Sequence, residues 1–264
     1  MSPDCILEFQ HEQLNFSGRV MRSILARHLR NLEMSSIAID SHLHKAIRFY
    51  QASIGKKAVM AVTGVVLFGY LVGHLAGNMQ VYLGAEQMDK YAAFLHSMPL
   101  LLWGVRALLV ACVVLHITAS LQLQKLKLDA RPTGYVKKDA IESSLASRSM
   151  IWSGAMIAAF AFYHILDLTT GAASTAQFRE LRAYENLVYG FRRLPVSAFY
   201  IAGMILLGMH LYHGLWSIFQ TVGFSHPRYT PMIKRLAAWV AILMAAGFIS
   251  IPIAVMTGLV GSNL

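Results

Sequence analysis

Hydrophobic residues in this chain come in long unbroken runs, not with the period of a strand or of a surface helix. Five such runs stand out, at residues 58–80, 99–123, 149–169, 197–220 and 236–260, and the charged residues gather between them. Each is roughly 20–25 residues long, enough for a helix to cross a hydrocarbon core ~30 Å thick. A helix also satisfies its own backbone hydrogen bonds, which lipid cannot do for it. The pattern predicts an all-α integral membrane protein. Five transmembrane helices form a bundle within residues 54–264, behind an N-terminal arm over residues 1–53.

Composition adds little to this reading, but charge adds an orientation. The 264 residues are 56% hydrophobic and 14% charged, whereas soluble domains carry about 25% charged residues. The net charge is +10. Eight Lys and Arg precede the first run, six lie between the second and third, and three between the fourth and fifth. The alternate loops hold one (Lys90) and four (Arg179, Arg182, Arg192, Arg193), and Arg106 lies inside the second run. Positive charge partitioned by loop is a topology signal, so the N-terminus is expected on the cytoplasmic side of the cell membrane and the C-terminus opposite. A basic balance explained in this way makes the lipid bilayer the expected partner, and nucleic acid is not expected.

Only two cysteines occur, Cys5 and Cys112, and no C-x-x-C-H is present. They cannot make a metal cluster, and the chain offers no thioether attachment for a cofactor. Within the arm, residues 17–33 are basic and mildly amphipathic, with Arg19, Arg22, Arg27 and Arg30. Two readings stand side by side. Either this stretch lies on the membrane surface, or Met34 is the true start and residues 1–33 are not translated.

The candidate chemistry sits in the apolar runs. Four of the eleven histidines, His74, His116, His164 and His210, fall one to each of the first four. Ionisable groups inside a membrane are rare and face the bundle interior. At 1.5 Å per residue, His74 and His164 lie ~25 and ~23 Å from the cytoplasmic face, while His116 and His210 lie at ~10 and ~15 Å. The depths sort into an outer pair, His74 with His164, and an inner pair, His116 with His210. Paired imidazoles from facing helices are what a bis-histidine haem needs. The ordinary alternative for any single one is an interhelical hydrogen bond. His213 lies three residues from His210 on nearly the same face, so either is a candidate fourth ligand. The remaining histidines, among them His11, His28, His42, His44, His96 and His226, are expected to be solvated.

The segment H-L-Y-H-G-L-W-S-I-F-Q-T-V-G, His210 to Gly223, resembles the cytochrome b subunit of succinate:quinone and fumarate:quinone oxidoreductases, in its five-helix, di-haem form. Further matches are G-H-L-A-G-N (Gly73 to Asn78), Y-A-A-F-L-H (Tyr91 to His96), L-H-I (Leu115 to Ile117), S-R-S-M-I-W-S-G (Ser147 to Gly154) and F-Y-H (Phe162 to His164). The resemblance implies two non-covalent haem b groups, on His74 with His164 and on His116 with His210. Gly214, Leu215 and Trp216 follow His210 as in relatives, which leaves His213 a neighbour of the ligand. It further implies a membrane anchor for a flavoprotein carrying FAD and an iron–sulfur subunit of a succinate dehydrogenase. Electrons would pass to menaquinone or another quinone, and this chain would not act on succinate itself.

Arg106 is a candidate contact for a haem propionate or for quinone, or it snorkels to the interface. Relatives often carry an acidic residue there. Lys125, Lys127, Arg131, Lys137 and Lys138 form a basic face for the iron–sulfur partner, or serve topology and anionic lipid alone. Candidate quinone contacts are Asn78, Gln80, Tyr82, Tyr91 and His96. Glu86 and Asp89 are candidate proton acceptors, against the ordinary reading of solvated loop carboxylates. Two competing functions remain open: the di-haem cytochrome b of another respiratory complex, and a haem-free histidine-bearing transporter.

Overall fold

Three of the long apolar helices begin with proline in their first turn, where the missing N–H has no partner to lose and the fixed φ suits a helix. These are α3 (Pro99–Asp129), α6 (Leu194–Thr221) and α7 (Thr230–Met256). The computed structural model describes residues 44, 45, 47–130, 145–174 and 178–262. Residues from Lys56 onward form one compact unit. The remaining elements are α1 (Ser53–Asn78) with a 3-10 turn at Met79–Leu83, α2 (Ala85–His96), α4 (Leu145–His164) with a π-helical turn at Ile165–Thr169, and α5 (Ala183–Phe191). No strand occurs among the described residues.

Five helical stretches are long and apolar enough to span a membrane: Ser53–Leu83, Pro99–Asp129, Ser149–Thr169, Leu194–Thr221 and Thr230–Met256. The protein is an all-α, multi-pass membrane bundle, as the run pattern predicts. The last run is displaced, because the helix starts at Thr230 and ends at Met256, within a turn of Pro252. The amphipathic stretch at 17–33, Cys5, His11, His28 and His42, and Arg131, Lys137 and Lys138 lie outside the described residues.

α6 packs closely along α7 and against α4. At the α6–α7 contact an added Cβ on Gly208 would meet the Ala245 methyl at 3.1 Å, so the small residue lets the two helices approach. Met204, Leu207, Leu211, Ala241 and Met244 are buried along this seam. α1 and α3 have no comparable backbone packing against the other spans and meet them through side chains instead.

One end of the bundle is capped. There the 3-10 turn, α2, α5 and the turn after α7 enclose a core of Val81, Met88, Leu187, Val188, Phe191, Tyr200, Ile251 and Val260. Sequence patterning gives no sign of α2 and α5, which fall in connecting loops. Asp89 ties them: its carboxylate accepts the Tyr184 backbone N–H at 3.0 Å in the first turn of α5, satisfying a donor the helix cannot. At the opposite end, α6 closes in a Schellman turn, with Phe224 N–H donating to Phe219 C=O at 2.7 Å and Gly223 at φ 87°.

Candidate functional site: two histidine pairs

The four histidines meet in two pairs. At the capped end, His74 on α1 and His164 on α4 have ring centres 5.7 Å apart with planes 87° to one another. Tyr70 stacks on His74 at 5.3 Å, and Phe160 and Tyr200 flank His164 at 5.9 and 5.8 Å. Deeper along the bundle, His116 on α3 and His210 on α6 have ring centres 6.4 Å apart, tilted by 58°. His213 is not in that pair, and its ring lies edge-on to Trp216 at 5.4 Å.

The deeper pair has partners that hydropathy alone does not reveal. His116 Nδ1 is 3.0 Å from Thr63 Oγ1 on α1, and His210 Nδ1 is 3.4 Å from Ser153 Oγ on α4. Both hydroxyl residues are buried, at 5% and 2% exposure. The signal for them is a repeat: Thr63-Gly64 and Ser153-Gly154 each stand eleven residues before a histidine of the other pair, His74 and His164. Eleven residues are close to three full turns, so hydroxyl and histidine share a helix face ~16 Å apart along the axis.

Two imidazoles offer a particular donor set. Among the described residues no group of three or more His, Cys, Asp or Glu could hold a metal ion, so a tetrahedral zinc site, which takes four donors, is not on offer. A pair is the number that completes an iron already held by four porphyrin nitrogens. Metal–imidazole bonds are ~2 Å long, which puts the ring centres of two ligands on opposite sides of one metal about 6 Å apart. The observed separations match. His164 Nδ1 is buried without a hydrogen-bond partner, as is His213 Nδ1. His164 therefore has a polar valence that protein does not fill.

The other candidates are placed as follows. The Arg106 guanidinium lies over the Trp103 ring, 4.9 Å from its centre. Asn78 gives its amide to the His74 carbonyl at 2.8 Å, Tyr82 donates to Ser250 Oγ at 2.8 Å, and Gln80 accepts from Gln87 at 3.3 Å. Tyr91 packs on the face of α1 at Gly77, where an added Cβ would lie 2.9 Å from its ring. His96 is exposed and contacts the Ala92 carbonyl through Nδ1 at 2.9 Å. Lys125 and Lys127 occupy the last turns of α3. Neither loop carboxylate stands free. Glu86 pairs with Lys90 at 2.6 Å, which holds its carboxyl below the ordinary glutamate range, and Asp89 caps α5.

Asp167, in the π-helical turn directly after His164, is the residue that patterning undervalues. It is 1% exposed, accepts the Tyr200 hydroxyl proton at 3.0 Å and pairs with Arg193 at 3.3 Å. No family model, curated protein or solved structure matches this chain.

Proposed function

We propose that this chain is the membrane-anchoring cytochrome b subunit of a succinate:quinone oxidoreductase, binding two b haems. The observation that carries the proposal is the meeting of four membrane-embedded histidines as two pairs at metal-ligand separation. The string His210 to Gly223 supports the choice of family. Bound haem supplies one-electron transfer between an iron–sulfur partner and quinone.

The chain's own residues do the holding and the shielding. His74 with His164, and His116 with His210, would hold the two haem irons through their imidazole nitrogens. Tyr70, Phe160, Tyr200 and Phe248 pack aromatic rings around the first pair. Arg106 offers a guanidinium for a propionate, since an arginine fork suits a carboxylate. Lys125 and Lys127, at the end away from the cap, supply part of a basic face for a soluble iron–sulfur subunit and its FAD-bearing flavoprotein. On this reading that end is cytoplasmic, in the cell membrane, and (mena)quinone reacts near the capped end.

Pyridine haemochrome analysis of the purified protein tests the proposal. It should give two b haems per chain, with the flavoprotein and iron–sulfur subunits co-purifying. A colourless protein would return the chain to the haem-free transporter reading. Haem with different soluble partners would move it to another respiratory complex.

A further inference from the structure

The two hydroxyls beside the deeper histidine pair have a constrained chemistry. A threonine or serine hydroxyl has one proton to give and two lone pairs to receive. Thr63 Oγ1 lies 2.8 Å from the Val59 carbonyl and 3.1 Å from that of Met60, one turn back on its own helix. A carbonyl can only accept, so the hydroxyl proton is directed there. Toward His116 Nδ1, at 3.0 Å, the oxygen then presents a lone pair. Ser153 repeats the arrangement on α4: Oγ donates to the Met150 carbonyl at 3.2 Å and faces His210 Nδ1 at 3.4 Å. With the hydroxyl proton on its own helix's carbonyl, the histidine nitrogen is left as the donor in each case.

We infer that Thr63 and Ser153 are positioning residues that hold His116 and His210 protonated on Nδ1, so that each presents the Nε2 lone pair to a metal. For its consequence this rests on the haem reading above. A hydrogen bond accepted from the far nitrogen of a ligating histidine fixes the ring and raises its basicity. The neighbouring glycines have a lesser part. A Cβ on Gly64 or Gly154 would sit 3.5 or 3.6 Å from Cε1 of its histidine, an ordinary contact. The hydroxyls do the orienting, joined at His116 by the Met60 backbone carbonyl.

The inference also gives the repeat a meaning. α1 and α4 each carry one ligand of the capped-end pair and, eleven residues earlier on the same face, the hydroxyl that orients a ligand of the deeper pair. The deeper ligands themselves come from α3 and α6. The bundle is therefore two copies of one helix-pair plan, with each copy providing half of both sites.

The test uses the complete membrane complex with its haem. Thr63→Val and Ser153→Ala remove a hydroxyl at nearly constant volume, while Thr63→Ser and Ser153→Thr retain it. Both haems should remain in all four variants. In the first two, the midpoint potential of the haem that His116→Ala eliminates should rise, because a less basic ligand stabilises ferric iron less. A tenfold change in ferric-over-ferrous preference reads as ~59 mV for a one-electron couple. The hydroxyl-retaining variants should return the potential toward wild type, and the other haem should not move. Unchanged potentials with both haems present, or equal shifts in both, would overturn the inference. Nitrogen NMR of the wild-type protein in its reduced, diamagnetic state gives a readout that needs no variant. Protonated Nδ1 on His116 and His210 is expected, and an unprotonated Nδ1 on either refutes it. A wild-type protein that binds no haem would fail the proposed function instead. The same NMR on that protein would still report the tautomers, so the two failures are distinguishable.

Discussion

Removing Arg193 should cost more stability than removing the carboxylate it pairs with. The Asp167 side chain is 1% exposed, whereas that of Arg193 is 32% exposed. Arg193→Ala strands a carboxylate that water cannot reach, with one remaining hydrogen bond from Tyr200. Leaving a buried charge without its partner typically costs about 3–5 kcal/mol. Asp167→Ala instead leaves a guanidinium on a side chain a third exposed, which reaches water more readily than the carboxylate does. What is left is the buried Tyr200 hydroxyl, worth about 1–3 kcal/mol as an unsatisfied group. The decisive variant is the double one. Adding Asp167→Ala to Arg193→Ala removes the stranded charge, so the pair of changes should be less destabilising than Arg193→Ala alone. Unfolding in mixed detergent micelles gives all four corners of the cycle, and the coupling is read as the departure from additivity. A double variant less stable than Arg193→Ala would refute the argument, because it would mean the carboxylate contributes favourably without its cation.

His74→Ala and His164→Ala should abolish the same spectral species, and His116→Ala and His210→Ala the other, as read in low-temperature optical spectra. Loss of one common species in His74→Ala and His116→Ala would break the pairing. His210→Ala should remove a haem while His213→Ala keeps both, because the His213 ring sits edge-on to Trp216 and outside the His116 pair; haem stoichiometry decides it. Under the proposed function, losing the capped-end haem should stop quinone reduction and leave succinate oxidation by a soluble dye intact. Quinone reduction surviving in His164→Ala would put the quinone at the other end. Lys90→Ala should return the Glu86 carboxyl to the ordinary glutamate range in an NMR titration, since the Lys90 ammonium is the first cause of its lowered value.

What was legible in the sequence is what a bilayer imposes. The five spans need only length and apolarity, so they emerge from composition in windows, and the depth of each histidine follows from helix rise alone. Depth arithmetic also pairs His74 with His164 and His116 with His210, since partners must share a level. The cap was not legible. α2 and α5 are short, and what fixes them is a bond between Asp89 and the backbone of Tyr184, far apart in the chain. Asp167 reads in sequence as a residue at a membrane edge, and only the fold brings Tyr200 and Arg193 to it. Thr63 and Ser153 are ordinary polar residues in apolar runs until their common spacing to His74 and His164 is noticed. That spacing was visible in the sequence, whereas the histidine each hydroxyl faces lies on a different helix.

The uneven packing of the spans has a consequence for biosynthesis. Membrane helices insert singly and associate afterwards, and a chain is made from its N-terminal end. The tightest association here, α6 with α7, involves two spans synthesised after α1, α3 and α4. The spans made first, α1 and α3, have little backbone contact to hold them and carry polar imidazoles into lipid. They must wait in the bilayer, unpaired, until the C-terminal half arrives to receive them. Close packing of this bundle therefore waits on its later spans, which supply the tightest helix contact.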